Sequence, residues 1–161
     1  MIQSIVHRFI FAFCAFVLVT ACTQQTEPTT NDEPEAVTLA AMQTLLDTQV
    51  AAWNAGDING FMEGYWKSDS LRFASGGNVR RGWDETLARY LATYPDRAAM
   101  GTLAFEDLEM QKLSAQWATA FGRFRLKRTP PLEDLTGLFT LMFEKRNGNW
   151  IIVSDHTSAQ N

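Results

Sequence analysis

The chain ends in a run of side chains that could hold or move protons. After the apolar residues Trp150 to Val153, the sequence continues Ser154-Asp155-His156-Thr157-Ser158. An Asn147-Gly148 pair precedes this run, and that dipeptide is typical of a two-residue hairpin turn. The pattern therefore predicts a last β-strand that begins apolar and ends in hydroxyl, carboxyl and imidazole groups.

Strict alternation along this strand would decide which of these groups face a cavity. Side chains of a strand point to opposite faces in turn, which places Ser154, His156 and Ser158 together with Trp150 and Ile152. Asp155 then points to the other face, so a direct Asp155–His156 pair within the strand is not expected. Three roles for His156 stay open: a hydrogen-bonded cap of the strand, a ligand contact in a pocket, or a proton-transfer catalyst, since imidazole titrates near neutral pH.

The elements that must position this strand are visible in the apolar spacing. Apolar residues recur every three or four positions, the period of an amphipathic helix, in the stretches 37–55, 58–66 and 83–94. Alternating patterns predict a short hairpin at 71–81 and longer strands at 102–113, 117–128 and 135–145 before the last strand. This order predicts an α+β domain, with three helices gathered on one face of a curved antiparallel sheet.

The first residues have the pattern of a lipoprotein signal peptide. His7 and Arg8 precede the apolar block 9–19, which is followed directly by Ala21 and Cys22. The signal peptide is expected to span 1–21, with Cys22 lipidated; the alternative is an ordinary secretory signal cleaved nearby. The resemblance to lipoproteins implies sorting to the outer membrane, because Thr23 replaces the Asp that usually signals retention. Residues 22–35 are rich in Thr, Gln, Glu and Pro and predict a flexible tether. The folded domain is expected at 36–161, anchored at the periplasmic face of the outer membrane.

The composition excludes several classes of site. The net charge is −4 and no strong basic cluster occurs, so nucleic-acid binding is not expected. Both cysteines, Cys14 and Cys22, lie in or at the end of the signal peptide, which leaves the mature domain without a disulfide or a cysteine metal ligand. Only His156 remains as a nitrogen ligand, and no phosphate-binding loop is present. No metal and no cofactor are expected.

The ordered set of motifs resembles the nuclear transport factor 2-like superfamily. The resemblance rests on four segments: Trp53-Asn54-Ala55-Gly56-Asp57, the following Tyr65, the Arg81-Gly82 step, and the terminal run from Trp150 to Ser158. They are most similar to the SnoaL-like and kinase-association-domain branches. The resemblance covers about residues 38–158 and implies a cone-shaped, cystatin-like sheet with the helices on its concave face, a pocket between them, and a homodimer.

The kinase association domain also suggests site residues. Trp150, His156 and Ser158 match the spacing of its Trp, pocket His and Ser. Its pocket arginine corresponds best to Arg125, with Arg123 as the alternative. Ser154 departs from that family, which often has a second His at this position. The expected pocket residues are Trp53, Tyr65, Trp66, Arg125, Ser154, His156 and Ser158.

Three functions follow from the sequence and the resemblance. The leading hypothesis is an envelope-anchored domain that binds an unidentified small molecule without catalysing a reaction. The second is an isomerase, cyclase or dehydratase in which His156 shuttles a proton and Tyr65 or Tyr90 donates to a carbonyl oxygen. The third is a dimeric module that binds a protein partner.

Overall fold

A computed structural model describes residues 32–159 of the chain. The expected signal peptide, Cys22 and the tether up to residue 31 lie outside the described residues. The helices are α1 (Glu35–Asn54), α2 (Ile58–Met62), α3 (Trp83–Thr93) and α4 (Arg97–Met100). The strands are β1 (Arg72–Ser75), β2 (Asn78–Arg81), β3 (Thr102–Lys112), β4 (Trp117–Lys127), β5 (Leu135–Arg146) and β6 (Asn149–Ala159).

The strands form one six-stranded sheet in the order β2-β1-β6-β5-β4-β3. Strands β1 and β6 run parallel, whereas every other neighbouring pair is antiparallel. The helices cover one face of this curved sheet, which confirms the predicted α+β class. The helices differ from the expected three in two respects. α2 ends at Met62, because Tyr65 leaves the helix to bridge Ile152 of β6, and a single-turn helix, α4, follows α3.

Short-range sequence signals set the ends of these elements. Gly56 adopts a φ of +83°, and the Asp57 carboxylate accepts a 2.8 Å hydrogen bond from the Gly60 amide, so these residues end α1 and start α2 as their types predict. Asn147 and Gly148 both have positive φ values, 51° and 83°, in the β5–β6 hairpin. The turn and cap chemistry thus fixes where chain segments change direction.

Two irregularities bend the long strands. The β3–β4 register shifts between Glu106 and Glu109, opposite Gly122. A Cβ atom on Gly122 would lie 2.9 Å from side chains of Leu108 and Phe139, so only glycine allows the strands to approach this closely. The β5–β6 register shifts as well: Met142 pairs with Ser154 but Phe143 pairs with Ile152, which makes Val153 the extra residue of a β-bulge.

The core lies between the helices and the covered face of the sheet. Side chains from α1, α2 and α3 meet inward-facing side chains of β1 and β3–β6, among them Met42, Leu46, Met62, Phe73, Phe143 and Ile152. Asn54 ties the end of α1 to β3, because its side chain accepts from the Leu103 amide at 2.7 Å and donates to the Leu103 carbonyl at 3.1 Å. The C-terminal end of α1 is therefore fixed to β3 at the edge of the sheet.

The last part of the expected tether contacts the domain. Asp32 forms a 2.6 Å ion pair with Lys112, and Glu33 forms one of 2.6 Å with Lys145. Glu35 is already helical. Residues 32–35, which the sequence assigned to the end of the tether, thus lie against the domain. Within residues 32–159, no helix combines the length and hydropathy needed to cross a membrane.

Candidate functional site

A cavity of about 170 Å³ lies between α1, α3 and the sheet. This is about the volume of an apolar cavity that accommodates one benzene-sized molecule. Its aromatic wall consists of Trp53, Phe61, Tyr65, Phe73, Tyr90 and Tyr94, and the strands add aliphatic side chains. The polar side chains that reach it are Gln49, Ser75, Arg89, Thr93, Asp155 and Thr157. A mostly apolar cavity with a few convergent polar groups is the usual form of a small-molecule site.

Most neighbouring rings of the aromatic wall pack edge to face. The Trp53 ring centroid lies 5.1 Å from that of Phe61 and 4.9 Å from that of Tyr94, with steep interplanar angles. Tyr90 packs in the same way against Phe61 at 5.3 Å and against Phe73 at 5.6 Å. These geometries are the favoured ones for aromatic pairs. The wall is therefore a preformed surface for a flat or apolar molecule.

A buried carboxyl group, that of Asp155, forms the polar centre of the cavity. Asp155 is only 3% exposed. The Tyr65 hydroxyl donates to Asp155 Oδ2 at 2.7 Å, and the Thr157 hydroxyl donates to Oδ1 at 2.7 Å. Each carboxylate oxygen retains a lone pair after accepting one bond. Asp155 can thus accept a further hydrogen bond from a ligand.

The surroundings of Asp155 favour its neutral form more than water does. Burial raises the pKa of the Asp155 carboxyl, although the hydrogen bonds from Thr157 and Tyr65 and the charge of Arg89 oppose the rise. Burial and the nearby Asp155 also raise the pKa of the Tyr65 hydroxyl well above its ordinary value. The same two causes, burial first, raise the pKa of Tyr90. Both phenols therefore keep their protons and remain hydrogen-bond donors.

Gln49 carries an unsatisfied acceptor on the cavity wall. Its side-chain nitrogen donates to the Phe61 carbonyl at 2.9 Å, which fixes the orientation of the amide. Its Oε1 atom is buried without a hydrogen-bond partner, and the residue is only 2% exposed. A buried acceptor of this kind costs on the order of 1–3 kcal/mol unless a partner reaches it. A ligand donor or a water molecule in the cavity would supply that partner.

Arg89 lies on α3 one turn before Thr93, and both reach the cavity. The Arg89 guanidinium carbon lies 4.8 Å from the Phe73 ring centroid and 5.4 Å from that of Tyr90. Such cation–π contacts hold the guanidinium against the aromatic wall. A positive charge thus borders an otherwise apolar cavity.

The structure corrects the expected face of the last strand. His156 is exposed and does not line the cavity, whereas Asp155 and Thr157 do. The physical reason is the bulge at Val153, which inserts one residue and reverses the alternation: Trp150 and Ile152 face the core before it, and Asp155 faces the core after it. The role of His156 as a pocket residue and proton shuttle therefore has no geometric basis.

Four other expected pocket residues also lie elsewhere. Arg125 points away from the cavity and pairs with Glu106 at 3.1 Å, because its neighbours Phe124 and Leu126 occupy the inner face of β4. Trp66 lies in a surface groove with Arg146 stacked 3.9 Å over its ring. The two serines follow His156 to the outer face: Ser154 accepts a 3.0 Å bond from Arg72, and Ser158 is exposed.

Two of the expected residues, Trp53 and Tyr65, do lie on the cavity wall. Arg123, the alternative to Arg125, lies 3.6 Å from the exposed Asp107 at the β3 bulge. No pattern in the sequence selects Asp155, Thr157, Gln49 or Arg89 for the cavity, since a bulge position and an unpaired acceptor depend on tertiary contacts. Within residues 32–159, no cluster of three His, Cys, Asp or Glu residues could hold a metal ion.

Comparison with solved structures identifies the family. An NTF-2 like protein of unknown function from Shewanella oneidensis MR-1 is 42% identical, with a TM-score of 0.71 over 75% of this chain and 98% of its own. This chain belongs to the nuclear transport factor 2-like family, as its motifs predicted. No protein-family model and no curated protein matches the sequence.

More distant structures share the fold alone. A ketosteroid isomerase-like protein from Erwinia carotovora atroseptica SCRI1043 has a TM-score of 0.61 at 22% identity, over 76% of this chain and 96% of its own. A protein with a cystatin-like fold from Nostoc punctiforme PCC 73102 has a TM-score of 0.62 at 11% identity, over 78% of this chain and 92% of its own. The fold is compatible with ligand binding and with isomerase-like roles, and function has to be argued from the cavity.

Proposed function

We propose that this chain is a lipid-anchored envelope domain that binds a small, mainly apolar molecule in the cavity between the helices and the sheet. The observation that carries the proposal is the buried Asp155 carboxyl on an aromatic wall, hydrogen-bonded by Tyr65 and Thr157 at 2.7 Å each. The unpaired Oε1 atom of Gln49 adds a second acceptor. Both groups favour a ligand with an apolar body and an uncharged donor, such as a hydroxyl group.

The anchoring part of the proposal rests on the sequence. Cys22 follows a signal-like apolar block, and Thr23 lacks the acidic side chain that would favour retention in the inner membrane. Lipidation of Cys22 would attach the chain to the periplasmic face of the outer membrane through acyl chains. The acyl chains on Cys22 would then insert into the membrane, and the cavity would bind the small molecule.

Closure of the cavity mouth tests the binding part of the proposal. Thr93 is exposed and lines the cavity, whereas its neighbour Ala92 is exposed and does not. Thermal shifts would be measured for the chain from residue 23 to 161 with a panel of small aromatic and aliphatic alcohols, ketones and acids. We expect ligands that raise the Tm of the parent and of Ala92→Trp, and not that of Thr93→Trp. Equal shifts in all three proteins would place binding outside the cavity.

A second candidate function is proton transfer, as in an isomerase or lyase. It is favoured by the raised pKa of Asp155, because a buried carboxyl that titrates closer to neutral pH is a better general acid or base. Asp155 would take the role that the sequence suggested for His156, with Tyr65 or Tyr90 as the donor to a developing oxyanion. Turnover of a bound compound that survives Asp155→Asn would rule this candidate out.

Homodimer formation remains a separate proposal. Phe121, Leu138 and Met142 are exposed apolar side chains on the outer face of the neighbouring strands β4 and β5. They lie on the side of the sheet opposite the helices, so a second copy could cover them without closing the cavity. An apolar patch on a sheet face favours association.

A further inference from the structure

We propose that the ligand of this cavity is a small monocarboxylate, whose carboxylate pairs with Arg89 at the cavity mouth while its apolar body lies against the aromatic wall. The inference rests on the proposed binding function and specifies the ligand class. It depends on the position of Arg89, on the absence of an acidic partner for it, and on the acidic group at the inner end of the cavity.

The contacts of Arg89 leave its hydrogen-bonding edge available. Phe73 and Tyr90 contact the guanidinium from 4.8 and 5.4 Å, and both rings also form the cavity wall. Cation–π packing uses the charge of a guanidinium but none of its five N–H donors. Those donors form a planar fork that matches the two oxygens of a carboxylate.

Nothing acidic within residues 32–159 pairs with Arg89. Arg125 forms an ion pair with Glu106 at 3.1 Å, and Arg146 forms one with Glu144 at 2.6 Å. No such pair involves Arg89, although Asp155 is near enough for the two charges to interact. A half-buried cation that forms no ion pair, beside an apolar cavity, attracts an anion more strongly than a solvated surface cation does.

The inner end of the cavity limits the ligand to one carboxylate. Asp155 is already acidic, and two carboxylates in one buried site repel each other. The ligand group at the inner end is therefore an uncharged hydrogen-bond donor. Asp155 and the free Oε1 atom of Gln49 can accept hydrogen bonds from it. The cavity volume of about 170 Å³ accommodates one ring, with a short chain leading to the mouth.

A matched pair of ligands tests this assignment: 3-(4-hydroxyphenyl)propionate and the alcohol with the same skeleton, 3-(4-hydroxyphenyl)propan-1-ol. Isothermal titration would use the chain from residue 23 to 161, which contains the whole described fold. The variants are Arg89→Gln and, as control, Arg81→Gln, which removes an exposed arginine that does not line the cavity. Both variants remove one positive charge.

We expect the parent and Arg81→Gln to bind the acid about tenfold more tightly than the alcohol, the size of one charge-assisted contact. Arg89→Gln should lose that preference and bind the alcohol as the parent does. Equal affinities of the parent for acid and alcohol would overturn the carboxylate assignment but leave the binding function intact. Equal weakening of both ligands by Arg89→Gln would also overturn it, since Arg89 would then only shape the cavity. Failure of both ligands to bind the parent would count against this inference and the binding function together.

Discussion

The Tyr65 hydroxyl donates a 2.7 Å hydrogen bond to Asp155 Oδ2, although the two residues lie 90 positions apart. Main-chain bonds hold them together: the Ile152 amide donates to the Gly64 carbonyl at 3.0 Å, and the Trp66 amide donates to the Ile152 carbonyl at 2.9 Å. The segment after α2 is thereby fixed to β6 just before its bulge. The bulge then directs Asp155 inward, so backbone geometry determines where the phenol and the carboxyl meet.

The raised pKa of Asp155 predicts a pH dependence of stability. The folded chain binds this proton more tightly than the unfolded chain does, so the contribution of Asp155 is fully present below the unfolded pKa, about 3.9. It is lost as the pH rises through the folded value, and the free energy of unfolding falls over that window. Urea denaturation of Asp155→Asn at a series of pH values from acid to neutral should show a smaller fall than the parent.

Asp107→Asn is the matched control for that experiment, because Asp107 is an exposed aspartate at the β3 bulge. It should reproduce the pH dependence of the parent. If Asp155→Asn and Asp107→Asn have the same profile as the parent, Asp155 does not carry a shifted proton affinity.

Removal of the phenolic hydroxyl should destabilise the fold at neutral pH. In Tyr65→Phe, Asp155 Oδ2 loses its donor while it stays buried, and an unsatisfied buried acceptor costs about 1–3 kcal/mol. The urea midpoint should fall by a corresponding amount. The loss should be smaller in an Asp155→Asn background, because the amide carries no charge to be stabilised. A full, additive loss in that background would show that the contribution of the Tyr65 hydroxyl does not depend on the Asp155 carboxylate.

The sequence predicts most of the fold because the relevant signals are local. Asp57 and Gly56 mark a helix junction, Asn147-Gly148 marks a hairpin, and the apolar periods locate the long helices and strands. Trp53 and Tyr65 could be selected for the cavity because the apolar period places both on the buried faces of the predicted helices, although Tyr65 follows the end of α2 in the structure. Which side chains of the last strand face the cavity could not be predicted, since this depends on Val153 being left unpaired opposite Met142 and Phe143. Because of this one extra residue, Asp155 lies on the inner face of β6 and His156 lies on the outer face.

The outer face of the sheet predicts the oligomeric state. Leu138 is 38% exposed among other apolar side chains of β4 and β5, whereas Leu91 is 48% exposed on α3, away from the sheet. Sedimentation equilibrium should give a dimer for the parent and for Leu91→Lys, and a monomer for Leu138→Lys. A parent that stays monomeric at every concentration would remove the dimer proposal, and a dimeric Leu138→Lys would move the interface elsewhere.

Lipid attachment can be tested with the two cysteines as a matched pair. Cys22 is the expected acceptor, whereas Cys14 lies inside the apolar block of the signal peptide. Metabolic labelling with radioactive palmitate should label the parent and Cys14→Ser and leave Cys22→Ser unlabelled. Label that persists in Cys22→Ser would show that the lipid is attached to a residue other than Cys22.

The most direct measurement compares the two faces of β6 in one ligand screen. Thermal shifts with the same small-molecule panel would be recorded for the parent, Asp155→Asn and His156→Ala. Because Asp155 lines the cavity and His156 is exposed on the opposite face, we expect compounds that raise the Tm of the parent and of His156→Ala but have little effect on Asp155→Asn. Compounds that stabilise Asp155→Asn fully and do not stabilise His156→Ala would contradict a binding site in the cavity.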